Sequence, residues 1–245
     1  MVGGRYIRVL CLSLWLSGAW AVEHCSGQEP TQPNGEEPRE SAIPPDWEPV
    51  ELDLPSPLFV GTPRELWTPN LGPPSLEPRK PFFAPKGVAN VAEGARVTAG
   101  QSRPLLGDLE QVTDGDKAGS DGSFIEIEAG LQYIQIDLGN DHEIFAVVVW
   151  HFHMEPRVYF DVVVRVADDP DFIANARTLF NNDHDNSAGF GVGKDKDYIE
   201  TYEGKVVETA GTKARYLRLY SRGNTSNELN HYIEVEVYGK PGNGG

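Results

Sequence analysis

Tyr232-Ile233-Glu234-Val235-Glu236-Val237-Tyr238-Gly239, close to the end of the chain, decides how the rest is read. Apolar and acidic residues alternate through it. In an extended conformation Ile233, Val235 and Val237 therefore share one face, and Glu234 and Glu236 share the other. A strand of this pattern closes a sheet that is apolar on one side, and it carries a carboxylate to the edge of a β-sandwich.

The same texture runs upstream as far as Lys86. Short β-branched runs at residues 95–99, 123–127, 132–138, 143–152, 160–167, 177–180, 204–209, 214–220 and 231–238 alternate with Gly, Asn and Asp clusters and read as strands. Ile134, Ile136 and Leu138 alternate with Gln135 and Asp137, and Val162, Val164 and Val166 repeat the period. Helical intervals of the length a parallel sheet needs are missing, so the expected fold is all-β, an antiparallel sandwich or jelly roll. A unit spanning residues 86–240 is large enough to bury about two-thirds of its unfolded surface and hold one core.

Upstream of Lys86 the composition changes. Fifteen of the nineteen prolines lie between Pro30 and Pro85, among few aliphatic residues and without a sustained period. That composition predicts an extended, disordered Pro-rich spacer over residues 22–85. The stretch from Leu54 to Gly61, with Trp67, is more apolar than a spacer needs and could dock on the domain. Phe82-Phe83 could form a strap against its surface. The first residues carry Arg5 and Arg8, then an apolar run over residues 9–16, then Ala19-Trp20-Ala21, the layout of a secretory signal at residues 1–21. The run is too short to span a bilayer, so no transmembrane anchor is expected after cleavage. Residues 241–245 read as a flexible tail.

The formal charge of −16 repels nucleic acid and anionic membrane, and loss of Arg5 and Arg8 makes it two units more negative. Cleavage also leaves Cys25 as the only thiol, which rules out an internal disulfide. Stability must then come from the core, or from a metal.

Five stretches in order resemble the discoidin family, also called coagulation factor 5/8 type C or galactose-binding-like. They are Asn90 through Ala99, Thr113-Asp114-Gly115-Asp116, Gln135-Ile136-Asp137-Leu138-Gly139, Arg215-Tyr216-Leu217-Arg218-Leu219, and Glu234 through Gly239. The resemblance is to the bacterial secreted type and implies a discoidin-like β-sandwich that binds carbohydrate or another cell-surface or matrix ligand without catalysis. It also implies that Glu234 helps to hold a structural calcium ion. The lengthened loop Ala118-Gly119-Ser120-Asp121-Gly122, with Phe124 as its nearest aromatic, departs from the family, and so does the lack of a cysteine pair.

Asp114, Asp116 and Glu234 are the calcium candidates, because an Asp-Gly turn offers hard carboxylate and carbonyl oxygens within a short span. An Asx turn needing no ion is the alternative. His151-Phe152-His153 ends a Val-rich strand with both imidazoles on one side, so with His184 of Asp183-His184-Asp185 the pair could hold a transition metal, which is the enzyme alternative. The expected ligand face comprises His151, His153, Arg157, Tyr159, His184 and Arg222, with Trp150 or Tyr202 available to stack on a sugar. For Trp150 a place in the core is the competing reading. The polar stretch over residues 181–202 reads as a solvated functional loop or as a merely flexible one.

Overall fold

The computed structural model describes residues 43–57, 66–73, 77–100 and 103–242. The expected signal segment, Cys25 and residues 58–65 lie outside them. Eleven strands follow one another among the described residues: β1 (Trp47–Val50), β2 (Phe82–Pro85), β3 (Ala89–Asn90), β4 (Arg96–Ala99), β5 (Ile125–Ile127), β6 (Gln132–Trp150), β7 (Val163–Ala167), β8 (Arg177–Asn181), β9 (Lys205–Ser221), β10 (Asn230–Tyr232) and β11 (Glu234–Pro241). A short 3-10 turn, Leu109–Thr113, is the one helical element among them. All strand pairings between these elements are antiparallel, as the hydrophobic alternation predicts.

Two long strands make the sandwich. Residues 132–138 and 143–152 read as separate strands in the sequence, yet they form the single strand β6, and β9 likewise joins two expected strands. The pairing of β6 with β9 slips between Asp137 and His142 and again between Ile144 and Ala146. Gly139 (φ +80°) and Gly211 (φ +83°) lie near these slips in the left-handed region that glycine adopts at little cost. One half of each strand lies with β4, β7 and β8, and the other half lies with β3 and β11. Ile134 and Ile136 from the first half of β6 and Val147 and Val149 from the second meet in one core with Leu217, Leu219, Val235 and Val237. The two halves are thus facing layers of a β-sandwich.

The closing strand departs from a clean alternation. Val235 and Val237 enter the main core, but Ile233 packs on the opposite side against Phe124, Val148 and Trp150. The reason is a break at Ile233: β10 pairs with β5, whereas β11 pairs with β6, and the phase shifts by one residue between them. Glu234 and Glu236, expected on a wet face, are buried as well.

The loop after the 3-10 turn meets both, through Gly115 at Glu234 and Lys117 at Glu236, and the apolar face beside them is covered by the segment expected to be spacer. β1 and β2 form an antiparallel ribbon with Trp47 opposite Pro85 and Val50 opposite Phe82. Phe82 and Ala84 pack with Phe145 and Ala146, joined by Trp47, Val50, Leu52 and Tyr238, so the ribbon covers the outer face of β6, β9 and β11. Trp47 meets Phe145 edge-on at 5.9 Å, and Phe82 meets Tyr238 at 5.3 Å. Proline suits such an edge ribbon, because the outer side of β1 needs no ladder donor. The strap read at Phe82-Phe83 is present, and ordered packing begins ahead of Trp47 instead of at Lys86. At the other end β11 runs to Pro241.

Replacing Phe82 by Ala should therefore cost about 3 kcal/mol, a drop of roughly 6–12 °C in melting temperature. Limited proteolysis should leave a resistant core that still contains Trp47. A resistant core beginning at Lys86 with an unchanged melting temperature would refute the docked ribbon.

Candidate functional site

β6 delivers His151 and His153 to the turn that follows it, but their rings meet different neighbours: His151 lies with Tyr159 and Tyr232, and His153 with Lys117 and Gly119. Both residues lie in the interior, each 1% exposed. His151 Nδ1 lies 2.7 Å from Glu200 Oε1, and its ring stacks on Tyr159 at 4.4 Å and leans on Tyr232 at 4.8 Å. His153 donates from Nε2 to the carbonyl of Lys117 at 3.0 Å. Tyr159 is buried too, and its hydroxyl is 2.9 Å from His231 Nδ1. Burial first, then the nearby Glu200 carboxylate, raises the Tyr159 phenol far above its usual range, so it stays protonated and donates. Burial, reinforced by Arg157 and His151, pushes His231 down to about 4, so near neutral pH it accepts from Tyr159 at Nδ1 and donates from Nε2 to Glu126 at 3.2 Å.

Arg157 lies flat over Phe152, 4.2 Å from the ring centroid, with Nε and Nη1 buried and without a hydrogen-bond partner. His184 and Arg222 stand nearer the surface. His184 Nε2 is 3.5 Å from Asp197 Oδ1, and Arg222 pairs with Asp161 at 2.8 Å while donating to the carbonyl of Ser187. The six residues expected on one ligand face thus divide: His151, His153, Arg157 and Tyr159 belong to the interior, and His184 and Arg222 are tied to acidic loops. Trp150 is core, its Nε1 donating to the carbonyl of Tyr202. Asn224, first residue of the Asn224-Thr225-Ser226 sequon, is buried, with its amide donating to Asn227 and Leu229.

The metal set imagined for an enzyme is not assembled. Among the described residues the one group offering three ligand atoms within 4.8 Å of one another is Asp161, Asp183 and Asp185, which includes no histidine. Asp183 there accepts from the backbone of Ser187 and Ala188, and Asp161 from the Ser187 hydroxyl, so this loop is closed by its own hydrogen bonds.

Glu234 presents a different picture. Its side chain is fully buried; Oε2 accepts from the Gly115 backbone at 3.1 Å, and Oε1 has no partner. Burial above all, aided by the charges of Glu236 and Asp114, raises its pKa to about 9 against an ordinary 4.5. The nearby ammonium of Lys117 is engaged with Glu236 at 2.7 Å. An orphaned oxygen on a buried carboxylate beside two further acids fits a cation. Asp114 and Asp116 are exposed, and each closes an Asx turn with the backbone two residues ahead. They do not group with Glu234 as a compact three-carboxylate cage.

A concavity lies elsewhere, between residues 72–73 and 77–79 on one side and the loop leading into β9 on the other. It encloses about 660 Å³, and its walls include Phe180, Tyr198, Tyr202, Lys205, Arg79 and Glu203. The Lys205 ammonium rests 5.1 Å from the ring centroids of both Phe180 and Tyr198. Burial lowers its pKa while Asp195 and Glu200 act to raise it. Tyr202, named in the sequence as available to stack on a sugar, lines this cavity, as do residues 195–201 of the polar loop. Lys205 and Arg79 were not legible in the sequence, because one opens a strand and the other lies in a segment whose composition predicts no structure.

No family model and no curated protein matches the chain. Similar solved structures include a family 89 glycoside hydrolase from Clostridium perfringens in complex with 2-acetamido-1,2-dideoxynojirmycin (19% identity, 62% of this chain, TM-score 0.47), of whose length this chain covers 15%. They also include the CBM32 module of AlyQ in complex with 4,5-unsaturated mannuronic acid (21% identity, 58% of this chain and 92% of that one, TM-score 0.43). A Streptococcus pneumoniae fucose binding module is similar over 61% of this chain and 97% of that one (16% identity, TM-score 0.44).

Replacing His151 by Ala should leave Glu200 buried without its partner and cost about 3 kcal/mol, read as a lower midpoint in thermal or urea unfolding. A midpoint within experimental error of the wild type would mean that the His151–Glu200 contact carries no stability.

Proposed function

We propose that the protein is an exported, non-catalytic carbohydrate-binding module, a discoidin-like β-sandwich whose buried Glu234 is neutralised by a structural calcium ion. The observation that carries the binding reading is the 660 Å³ cleft, in which aromatic rings and charged donors and acceptors line one cavity. A sugar needs this combination: apolar rings for its C–H face, and polar groups of both signs for hydroxyls that donate and accept at once. The volume lies in the range of small-molecule sites and suits one or two sugar rings. Export is supported by the signal-like layout of residues 1–21; among the described residues no helix is long and apolar enough to cross a membrane.

Calcium is supported by the unpartnered Glu234 Oε1. Glu234 would anchor it with backbone carbonyls of the loop around Gly115, and Asp114 and Asp116 on the same turn would add negative charge. The ion would supply charge neutralisation and no chemistry. Lys117 is directed to Glu236, and it leaves Glu234 to be neutralised by a proton or by the ion.

On a glycan array the purified protein should retain at least one sugar, with a dissociation constant of roughly micromolar to millimolar, and should release no cleavage product from it. A protein that binds no glycan, or that hydrolyses one, refutes the reading.

The calcium site has its own test in the pH dependence of stability. In chelator, the folded state keeps Glu234 protonated up to about 9, whereas the unfolded state loses that proton near 4.5. Stability should then be greatest below pH 4.5 and fall as pH rises toward 9, by at most about 1.4 kcal/mol per pH unit from this group. Calcium should raise the melting temperature more at pH 8 than at pH 5, and Glu234→Gln should remove both the slope and the calcium response. A calcium-independent melting temperature in the wild type at pH 8 would exclude the ion.

A further inference from the structure

Resting on the carbohydrate reading, we infer that the cleft takes a neutral pyranose whose neighbouring hydroxyls are held by Lys205, and that residues 66–73 and 77–79 form a working wall of that site. Lys205 is the first reason. Its ammonium is half-buried over Phe180 and Tyr198, and among the described residues it forms no hydrogen bond or ion pair, only contacts with rings. An ammonium resting on rings, with no acceptor from the protein, leaves its donors to water or to a ligand oxygen. Arg79 Nη1 on the same walls is buried without a partner.

The surrounding charge decides which oxygen. Asp195, Asp197, Glu200 and Glu203 line the cleft with the donors, and the whole chain carries −16. A ligand carboxylate would meet Lys205 but would also lie in the field of these acids. Hydroxyls accept from Lys205 and Arg79 and donate to the acids without adding charge, while the ring's C–H face rests on an aromatic wall.

Residues 66–73 and 77–79 are each fastened to the loop that forms the other wall. Thr68 donates to Asp197 Oδ2 at 2.5 Å, Gly72 N to the Asp197 carbonyl at 2.8 Å, and Asp197 N to the Asn70 carbonyl at 3.2 Å. Arg79 bonds the carbonyls of Glu203 and Gly204. Between these fastenings Gly72, Pro73 and Pro78 face the cavity.

Calorimetric titration of the full secreted chain with glucose, galactose, mannose and fucose, and with glucuronate and galacturonate, tests this, with thermal melts as folding controls. At least one neutral sugar should bind at least about tenfold more tightly than either uronate. Lys205→Met, which keeps the stem on the rings, should weaken that sugar about tenfold or more, and Lys205→Arg should restore most of the affinity. Arg79→Ala should also weaken it, and Arg222→Ala, remote from the cleft, should not. Equal binding by Lys205→Met would place the sugar elsewhere and overturn the inference while the carbohydrate reading stands. Preference for a uronate would overturn the ligand class alone. If the wild type binds none of these sugars and no array glycan, the inference and the reading fall together.

Discussion

The structure depends on covering the second face of one sheet. From Ile144 to Trp150 every residue of β6 is buried, because Ile144, Val147 and Val149 serve the main core while Phe145, Ala146, Val148 and Trp150 look outward. A sheet in water can keep one face wet only if that face is polar. This one is not: the ribbon of β1 and β2 covers Phe145, Ala146 and Tyr238, while Phe124, Phe152 and Ile233 pack on Val148 and Trp150. Glu234 and Glu236, on the same strand as Tyr238, are met by the loop that carries Gly115 and Lys117, and the burial of Glu234 there creates the need to neutralise it.

A second consequence is the number of polar side chains inside. His151, Tyr159, Tyr198, Glu200 and His231 meet in the interior, where each must find a partner within the fold. Several do, through His151–Glu200 and Tyr159–His231. Others, such as Arg157 Nε and Glu200 Oε2, do not. The cleft lies at the margin of this network, where Glu200 and Tyr198 belong to both.

Strand positions were legible in the sequence because period-two alternation reports a core on one side, and Ile134, Ile136, Val235 and Val237 all lie where it puts them. The two long strands were hidden, since Gly139 and Gly211 read as turn residues although each sits in a bend within a continuing strand. The covering ribbon had a signal that composition masked: the unbroken apolar run from Phe145 to Trp150 marks a strand buried on both faces, so some other segment had to lie against it. Proline content pointed away from residues 43–85 as that segment. For the candidate site, residue type alone was a poor guide. His151, His153 and Arg157 have the chemistry of sugar ligands, but whether a strand end turns inward depends on contacts such as Glu200 with His151, distant in sequence. Tyr202, which lines the cleft, stands out in the sequence as an aromatic residue in a polar loop; Lys205 looks like any strand lysine.

The pairing of β3 with β11 has a bearing on how the chain reaches this state. β11 lies between β3 and β6, so the last strand made completes the layer that the earliest segments cover. Until that strand emerges from a ribosome, β3 has no neighbour and the ribbon of β1 and β2 lacks part of the surface it packs on. A partial chain can pair β4, β6, β7, β8 and β9, but the layer that holds β3 and the ribbon has to await β11. In that layer synthesis and assembly run in opposite order, the segments made early being seated late.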